Sequence, residues 1–230
     1  MKKHYTTSCR SLDRLLGGGF ESGTLTQIYG APGTGKTNVC IQTAIANAKM
    51  GIHVLYIDTD NCSEERYAQI LGSSEPPPIT FTHPETLQEQ KVAINELEKS
   101  QKSIDTKVDL VLVDTLTLLY RLALDDKKHP KHELSKQALT LLEIARKHNT
   151  AVVITNQIYK DLNTNTLRPL GGHALEHLSK VIVKLEKSKE GHGRRIAILK
   201  KYHTTWPDAK CKFKITKESI KEEGKWKKEK

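Results

Sequence analysis

Gly30-Ala31-Pro32-Gly33-Thr34-Gly35-Lys36-Thr37 fits the pattern G-x-x-x-x-G-K-[ST]. These residue types suit the capture of phosphate. Gly30, Gly33 and Gly35 tolerate backbone angles that other residues resist, so successive N–H groups can converge on one anion. A helix starting near Lys36 points its positive end at the same place. Lys36 can reach the β- and γ-phosphates of a nucleotide, and the Thr37 hydroxyl can bind Mg²⁺. A chance glycine-rich turn would satisfy the same pattern. The flanks argue against chance, because 25–29 reads as a short buried strand and 38–50 carries apolar residues at helical spacing.

Three further groups sit where apolar runs end. Asp109-Leu110-Val111-Leu112-Val113-Asp114 reads as a strand closing on an acid, a Walker B-like segment whose Asp114 would hold the Mg²⁺. A purely structural or helix-capping Asp would look the same. The run 53–58 ends in Asp58 and leads to Thr59-Asp60-Asn61, and the run 151–157 ends in Asn156-Gln157. In α/β proteins ligands bind at such carboxyl ends. Gln157 has an amide that could bridge a phosphate and the backbone, or simply bond to local backbone. His173 and His177 share a helix face at i, i+4, a metal-compatible spacing without an evident third ligand.

The elements that must hold these groups alternate. A short helix over 11–16, capped by Ser11, ends at Gly17-Gly18-Gly19. Helices follow over 63–71, 85–102 (apolar face Leu87, Val92, Ile94, Leu97, Ile104) and 134–148 (Leu134, Ala138, Leu141, Leu142, Ala145). The prolines at 76–78 act as a stiff spacer before a brief strand over 79–83. Residues 120–132 read as a polar surface loop with some helix, and 159–170 as a loop. Three strands close the chain over 180–186, 194–202 and 210–216. Glu190-Gly191-His192-Gly193 forms a hairpin turn between the first two, giving an antiparallel edge. The expected fold is α/β, a mostly parallel twisted sheet with helices on both faces, in one domain over 1–230.

Composition narrows the function classes. The chain has 230 residues, 28% charged and 5% aromatic, and a net charge of +10. About all of that excess lies in residues 180–230, an asymmetry that points to a polyanionic partner, most simply nucleic acid. The tail 216–230 mixes Lys with Glu and reads as solvated surface. Cys9, Cys40, Cys62 and Cys211 are far apart with no C-x-x-C pair, which argues against a zinc module or a disulfide framework and fits a reducing cytosol. The sequence shows no signal peptide and no apolar run near the length of a membrane span.

Taken in order, these segments resemble the RecA/RadA recombinase core. Leu12-Asp13, Leu15-Leu16-Gly17-Gly18-Gly19, the P-loop, Tyr56-Ile57-Asp58-Thr59, Val113-Asp114, Ile144-Ala145-Arg146-Lys147-His148, Thr155-Asn156-Gln157 and Gly171-Gly172-His173 carry the likeness. Within that superfamily the chain is similar to the archaeal RadA paralogues. These lack the N-terminal helix-hairpin-helix domain and have a shortened second DNA loop. The resemblance implies ATP and Mg²⁺ as cofactors and DNA, single-stranded or branched, as a partner. It also implies a role beside RadA in recombination and repair, weak ATPase activity, no strand exchange of its own, and a cytoplasmic, nucleoid-associated location, with self-association open. It assigns the γ-phosphate sensor to Gln157 and an adenine-side contact to Arg66, which a helix-surface salt bridge would equally explain. A DNA-stimulated strand-exchange enzyme and a KaiC-like signalling ATPase are the alternatives.

The DNA surface is expected on 120–132, 159–170 and the strand end near 200–203. Lys127, Lys128, Lys131, Lys160, Arg168, Lys200, Lys201 and His203 would meet phosphates, and Tyr120, Tyr159, Tyr202 and Trp206 would stack on bases. Two departures from the recombinase pattern bear on activity. His203-Thr204-Thr205-Trp206-Pro207 replaces an Asp-x-Pro segment that caps ATP on the neighbouring subunit. Asp58-Thr59-Asp60 replaces Asp-Thr-Glu, whose Glu activates the attacking water. Asp60 is one methylene shorter, a retraction of about 1.5 Å. Misplacement by about 1 Å can cost on the order of a hundredfold in rate. Asp60→Glu should therefore raise the ATP turnover of the purified protein toward that factor, and an unchanged turnover would refute the explanation.

Overall fold

The structure, a computed structural model, describes residues 2–61, 63–102, 107–124, 130–161, 165–202 and 208–223. The amino-terminal half contains β1 (His4–Tyr5), α1 (Arg10–Leu15), β2 (Phe20–Glu21), β3 (Thr24–Gly30), α2 (Lys36–Ala48), β4 (Val54–Asp58), α3 (Ser63–Leu71), β5 (Ile79–Thr82) and α4 (Leu87–Ser100). Then come β6 (Leu110–Asp114), α5 (Leu118–Leu122), α6 (Pro130–His148), β7 (Ala151–Asn156), β8 (Ile158–Asp161), β9 (Thr166–Pro169) and α7 (Gly172–Leu178). The chain closes with β10 (Val181–Lys187), β11 (Arg194–Lys201), β12 (Lys210–Ile215) and β13 (Ile220–Glu222).

A nine-stranded sheet runs β13-β12-β11-β10-β3-β7-β6-β4-β5. From β10 to β5 every pairing is parallel, and from β10 to β13 every pairing is antiparallel. Parallel neighbours need helical crossovers, and those helices cover both faces. The central strands are therefore buried along their length and mostly apolar (β3 also buries Thr24, Thr26 and Gln27), with alternate residues serving opposite cores. Leu25, Ile57, Val111, Val113, Val152 and Ile154 pack with Ile94 and Leu97 of α4 and Leu134, Ala138, Leu141 and Ala145 of α6. Ile28, Tyr56, Leu110, Leu112 and Val153 pack with Leu12 and Leu15 of α1, Val39, Ile41 and Ala44 of α2, and Phe213 of β12. The expected α/β fold with an antiparallel carboxyl-terminal edge is the one observed.

Several local expectations are corrected. Ser11 does not cap α1: the cap position is Cys9, and Ser11 sits inside the helix, donating to the Lys212 carbonyl at 3.0 Å. Val92 is exposed, and α4 buries Gln90 with Ile94 and Leu97 instead. The segment 159–170 is not a plain loop, because β8 and β9 pair antiparallel as a hairpin. Residues 118–122 form α5, which buries Leu119 and Tyr120. Ile104 lies outside the described residues. The short pair β1–β2 and the edge strand β13 were not expected.

Strand β13 lies in the segment read as solvated tail, yet it docks on the fold. Ile220 is 2% exposed, and buried Gln42 of α2 donates to its carbonyl and accepts from its N–H. Ile220→Ala should cost about 2–5 kcal/mol of stability by leaving a cavity. Urea unfolding of the two proteins measures it. A surface tail would give no change.

Candidate nucleotide-binding site

The loop between β3 and α2 leaves no room for side chains at two of its glycines. A Cβ on Gly30 would lie 2.4 Å from the Leu185 carbonyl oxygen, and one on Gly35, at φ +103°, would lie 2.5 Å from Ile215 Cδ1. Thr34 closes the turn by donating its hydroxyl to the Ala31 carbonyl at 2.8 Å. Lys36 opens α2 and its Nζ donates to the Gly30 carbonyl at 2.9 Å and the Ala31 carbonyl at 3.3 Å. Burial lowers the Lys36 ammonium below its ordinary value, and the nearby charges of Asp114 and Asp60 oppose that shift.

The sheet register brings the acids to the same place. Asp58 ends β4 directly opposite Asp114 at the end of β6. Asp114 is buried, and its carboxylate accepts from Tyr56 Oη at 2.9 Å and Thr155 Oγ1 at 2.5 Å, with the Thr37 hydroxyl as a third partner. Burial raises the Asp114 pKa above the ordinary carboxyl range. The hydrogen bonds from Thr155, Thr37 and Tyr56 oppose this, and the charge of Asp58 adds to it. Thr59 locks the two strand ends together: its N–H donates to the Asp114 carbonyl at 3.0 Å and its hydroxyl to the Thr115 carbonyl at 2.9 Å. Asp60 is exposed just beyond, its N–H on Asp58 Oδ1 at 3.1 Å.

A hydroxyl and a carboxylate are hard oxygen donors, the set that suits Mg²⁺. Thr37 and Asp114 could hold that ion, with water and phosphate oxygens completing its shell. The loop's backbone donors and Lys36 could hold the phosphates. Tyr56 and Thr155 belong to segments that carry the family resemblance, but the sequence assigns neither a role. The available signals were a tyrosine in an otherwise aliphatic strand and a hydroxyl at a strand end.

Gln157 follows β7, with its N–H on Thr117 Oγ1 at 3.2 Å and its side-chain Oε1 buried without a hydrogen-bond partner among the described residues. Its neighbour Asn156 accepts from Thr117 Oγ1 at 2.9 Å and donates to the Leu170 carbonyl at 2.8 Å, at the foot of the β8–β9 hairpin. The strand ends beside Asp114 are thus bonded to that hairpin. Among the described residues Arg66 makes no helix-surface salt bridge. It donates to Asn38 Oδ1 and to the carbonyls of Thr216 and Lys217, fastening α3 to α2 and to the turn before β13.

The basic residues expected to meet DNA are only partly brought together. Arg168 sits on the hairpin, paired with Asp161 at 3.2 Å, and Lys160 lies on the facing strand. Lys200 pairs with Asp208, and Lys201 donates to the Glu176 carbonyl at 2.8 Å. Lys131 is in α6, while Lys127, Lys128, His203 and Trp206 lie outside the described residues. Of the aromatic residues, Tyr159 is exposed. Tyr120 is buried in the core, and Tyr202 is half-buried with its hydroxyl on the Leu16 carbonyl at 3.1 Å, so neither is free to stack on a base. His173 faces Glu176 at 3.7 Å. Among the described residues no group of three or more His, Cys, Asp or Glu side chains could hold a metal ion.

With loop, acids and sheet order in place, residues 3–223 match the Rad51 family. The chain belongs to the Rad51 family. It is 42% identical over 228 residues to the DNA repair and recombination protein RadB of Methanococcoides burtonii, covering 96% of this chain and 99% of that one. It is 45% identical over 218 residues to the protein of the same name from Archaeoglobus fulgidus, covering 93% and 96%. A crystal structure of the RadB recombinase superposes with a TM-score of 0.80 at 34% identity, covering 96% of this chain and all of that one. The likeness to the RadA paralogues read from the motifs is therefore a likeness to RadB proteins along nearly the whole chain.

The raised pKa of Asp114 fixes the sign of a pH effect. The folded state holds this proton more tightly than the unfolded chain does, so its contribution to stability falls as pH rises above the unfolded carboxyl value. Thr155→Val removes one donor to the carboxylate and extends that fall to higher pH. The loss should be about 1.5–3 kcal/mol where Asp114 is ionised and smaller where it is protonated. Denaturant unfolding at acidic and at neutral pH tests this, and a loss independent of pH would contradict it.

Proposed function

We propose that this protein serves DNA repair and recombination as an accessory factor that binds ATP with Mg²⁺ and binds DNA. In this reading Lys36 and the loop 30–37 hold the phosphates, Thr37 and Asp114 hold the metal, Asp60 positions the attacking water, and Gln157 senses the terminal phosphate. Hydrolysis is slow, strand exchange is absent, and the protein works at the nucleoid alongside RadA, with nucleotide state acting more as a switch than as fuel.

The observation that carries the reading is convergence. The ends of four adjacent parallel strands, β3, β7, β6 and β4, deliver Gly30, Asn156, Asp114 and Asp58 to one edge of the sheet. Lys36 feels the charge of both Asp114 and Asp60 there. The bonded path from Thr117 through Asn156 to Leu170 runs from that edge to the hairpin that bears Arg168. The RadB-named relatives support the repair and recombination role. The short Asp60 side chain supports slow hydrolysis.

The test is ATP turnover with and without single-stranded DNA, with Lys36→Ala as the blank. The expected result is slow turnover, abolished in Lys36→Ala and not raised by DNA. Brisk DNA-stimulated turnover would replace this reading with a strand-exchange motor. DNA binding should weaken with salt by roughly 0.7 to 0.9 log units per decade for each phosphate neutralised. A binding constant flat across salt would count against DNA as the partner and favour a signalling ATPase.

A further inference from the structure

Lys187, the last residue of β10, and Arg195 of β11 are direct cross-strand partners. Like charges placed opposite each other destabilise a sheet pair. Here the neighbouring acids on the described strands are engaged elsewhere. Glu186 pairs with Lys184 at 2.6 Å, and Glu190 pairs with Lys212 at 2.7 Å. Among the described residues neither Lys187 nor Arg195 has a carboxylate at ion-pair distance.

Both cations converge on the phosphate loop. Arg195 Nη2 donates to the Gly33 carbonyl at 2.9 Å and Nη1 to the Arg194 carbonyl at 2.9 Å, while Nε is buried with no hydrogen-bond partner among the described residues. Lys187 Nζ lies 3.3 Å from where a Cβ on Gly33 would sit. The register explains why. Gly30 ends β3 opposite Leu185, so Lys187 extends past the end of β3 to the level of the loop. The unrelieved positive charge therefore lies at the middle of the loop, three residues before Lys36.

We propose that Lys187 and Arg195 form a cationic pair that acts from within the same chain on the terminal phosphate of a nucleoside triphosphate held by the loop 30–37. This rests on the nucleotide-binding reading above. In that reading, a triphosphate held at Lys36 and Thr37 would extend its terminal phosphate along the loop toward Gly33. That phosphate supplies the counter-charge the pair lacks. Arg195 also fixes the Gly33 peptide, so one side chain couples loop geometry to the charge of the ligand. Lys36, by contrast, serves diphosphate and triphosphate alike.

Equilibrium binding of ADP and of a non-hydrolysable ATP analogue, each with Mg²⁺, separates these roles in the full chain. Arg195→Ala and Lys187→Ala should weaken the ATP analogue by about tenfold or more while changing ADP affinity little. Arg195→Lys should recover part of the loss. Equal weakening for both nucleotides would make the pair a mere support of the loop and overturn the inference, as would no weakening of either. If Arg195→Ala fails to fold, as judged by its melting curve, Lys187→Ala and Arg195→Lys decide by the same ratio. Failure of the unaltered protein to bind either nucleotide would overturn the nucleotide reading itself. Intact binding with an unchanged ratio in the variants would overturn only the role of the pair.

Discussion

The buried carboxylate of Asp114 sets the terms for the rest of the molecule. A charge taken out of water must be met by donors or a cation. Tyr56 from β4, Thr155 from β7 and Thr37 from α2 supply the donors, so three elements must keep their relative positions for one side chain. That requirement is satisfied by the parallel register, which places Asp58 opposite Asp114 and Asn156 opposite Tyr29. Burial still raises the Asp114 pKa, a residual frustration that a divalent cation would relieve. Structure and candidate site therefore depend on the same few hydrogen bonds.

The antiparallel extension performs a different task. It walls the glycine-rich loop as well as adding Ala197, Leu199 and Phe213 to the core. Ile215 and Phe213 lie against Gly35, Leu185 crowds Gly30, and Arg195 holds Gly33. Arg66 and Gln42 tie the end of the extension back to α3 and α2, with Gln42 also bonding to the Thr7 and Ser8 carbonyls near the amino terminus. Segments near the start and near the end of the described residues are thus bonded to the helix that begins at Lys36. Any ligand that shifts the loop has a direct route to the carboxyl-terminal strands, and the bonds through Thr117 and Asn156 give a second route to the β8–β9 hairpin.

The surface charge is less concentrated than the composition suggests. Several cations of the carboxyl-terminal strands are locally paired, as with Lys200 and Asp208 and Lys212 and Glu190, and Arg168 pairs with Asp161 on the hairpin. Exposed pairs of this kind contribute about 0–1 kcal/mol each and can exchange partners readily. A polyanion could compete for those cations, so pairing in the structure does not remove them as contacts.

The sequence by itself determined the elements that depend on local chemistry. The P-loop is legible because glycines, a lysine and a threonine at fixed spacing have few other uses. The sheet strands are legible because a strand covered on both faces must be apolar throughout. Asp114 was found for the same reason, as the acid that ends such a strand. What the sequence left open was decided by contacts between distant segments. Ser11 looks like a cap by position, but the Lys212 carbonyl claims its hydroxyl. Tyr120 and Tyr202 look like stacking residues by type, but packing with the core and with Leu16 occupies them. Ile220 looks like part of a charged tail until Gln42 and the α2 face bury it. Arg195 carries no motif, and only the pairing of β10 with β11 and β3 sets it on Gly33. Local patterns fix what each segment can become, because backbone preference and periodicity act over a few residues. Which side chains remain available for a ligand is fixed by long-range burial and hydrogen bonding, which a linear pattern does not encode.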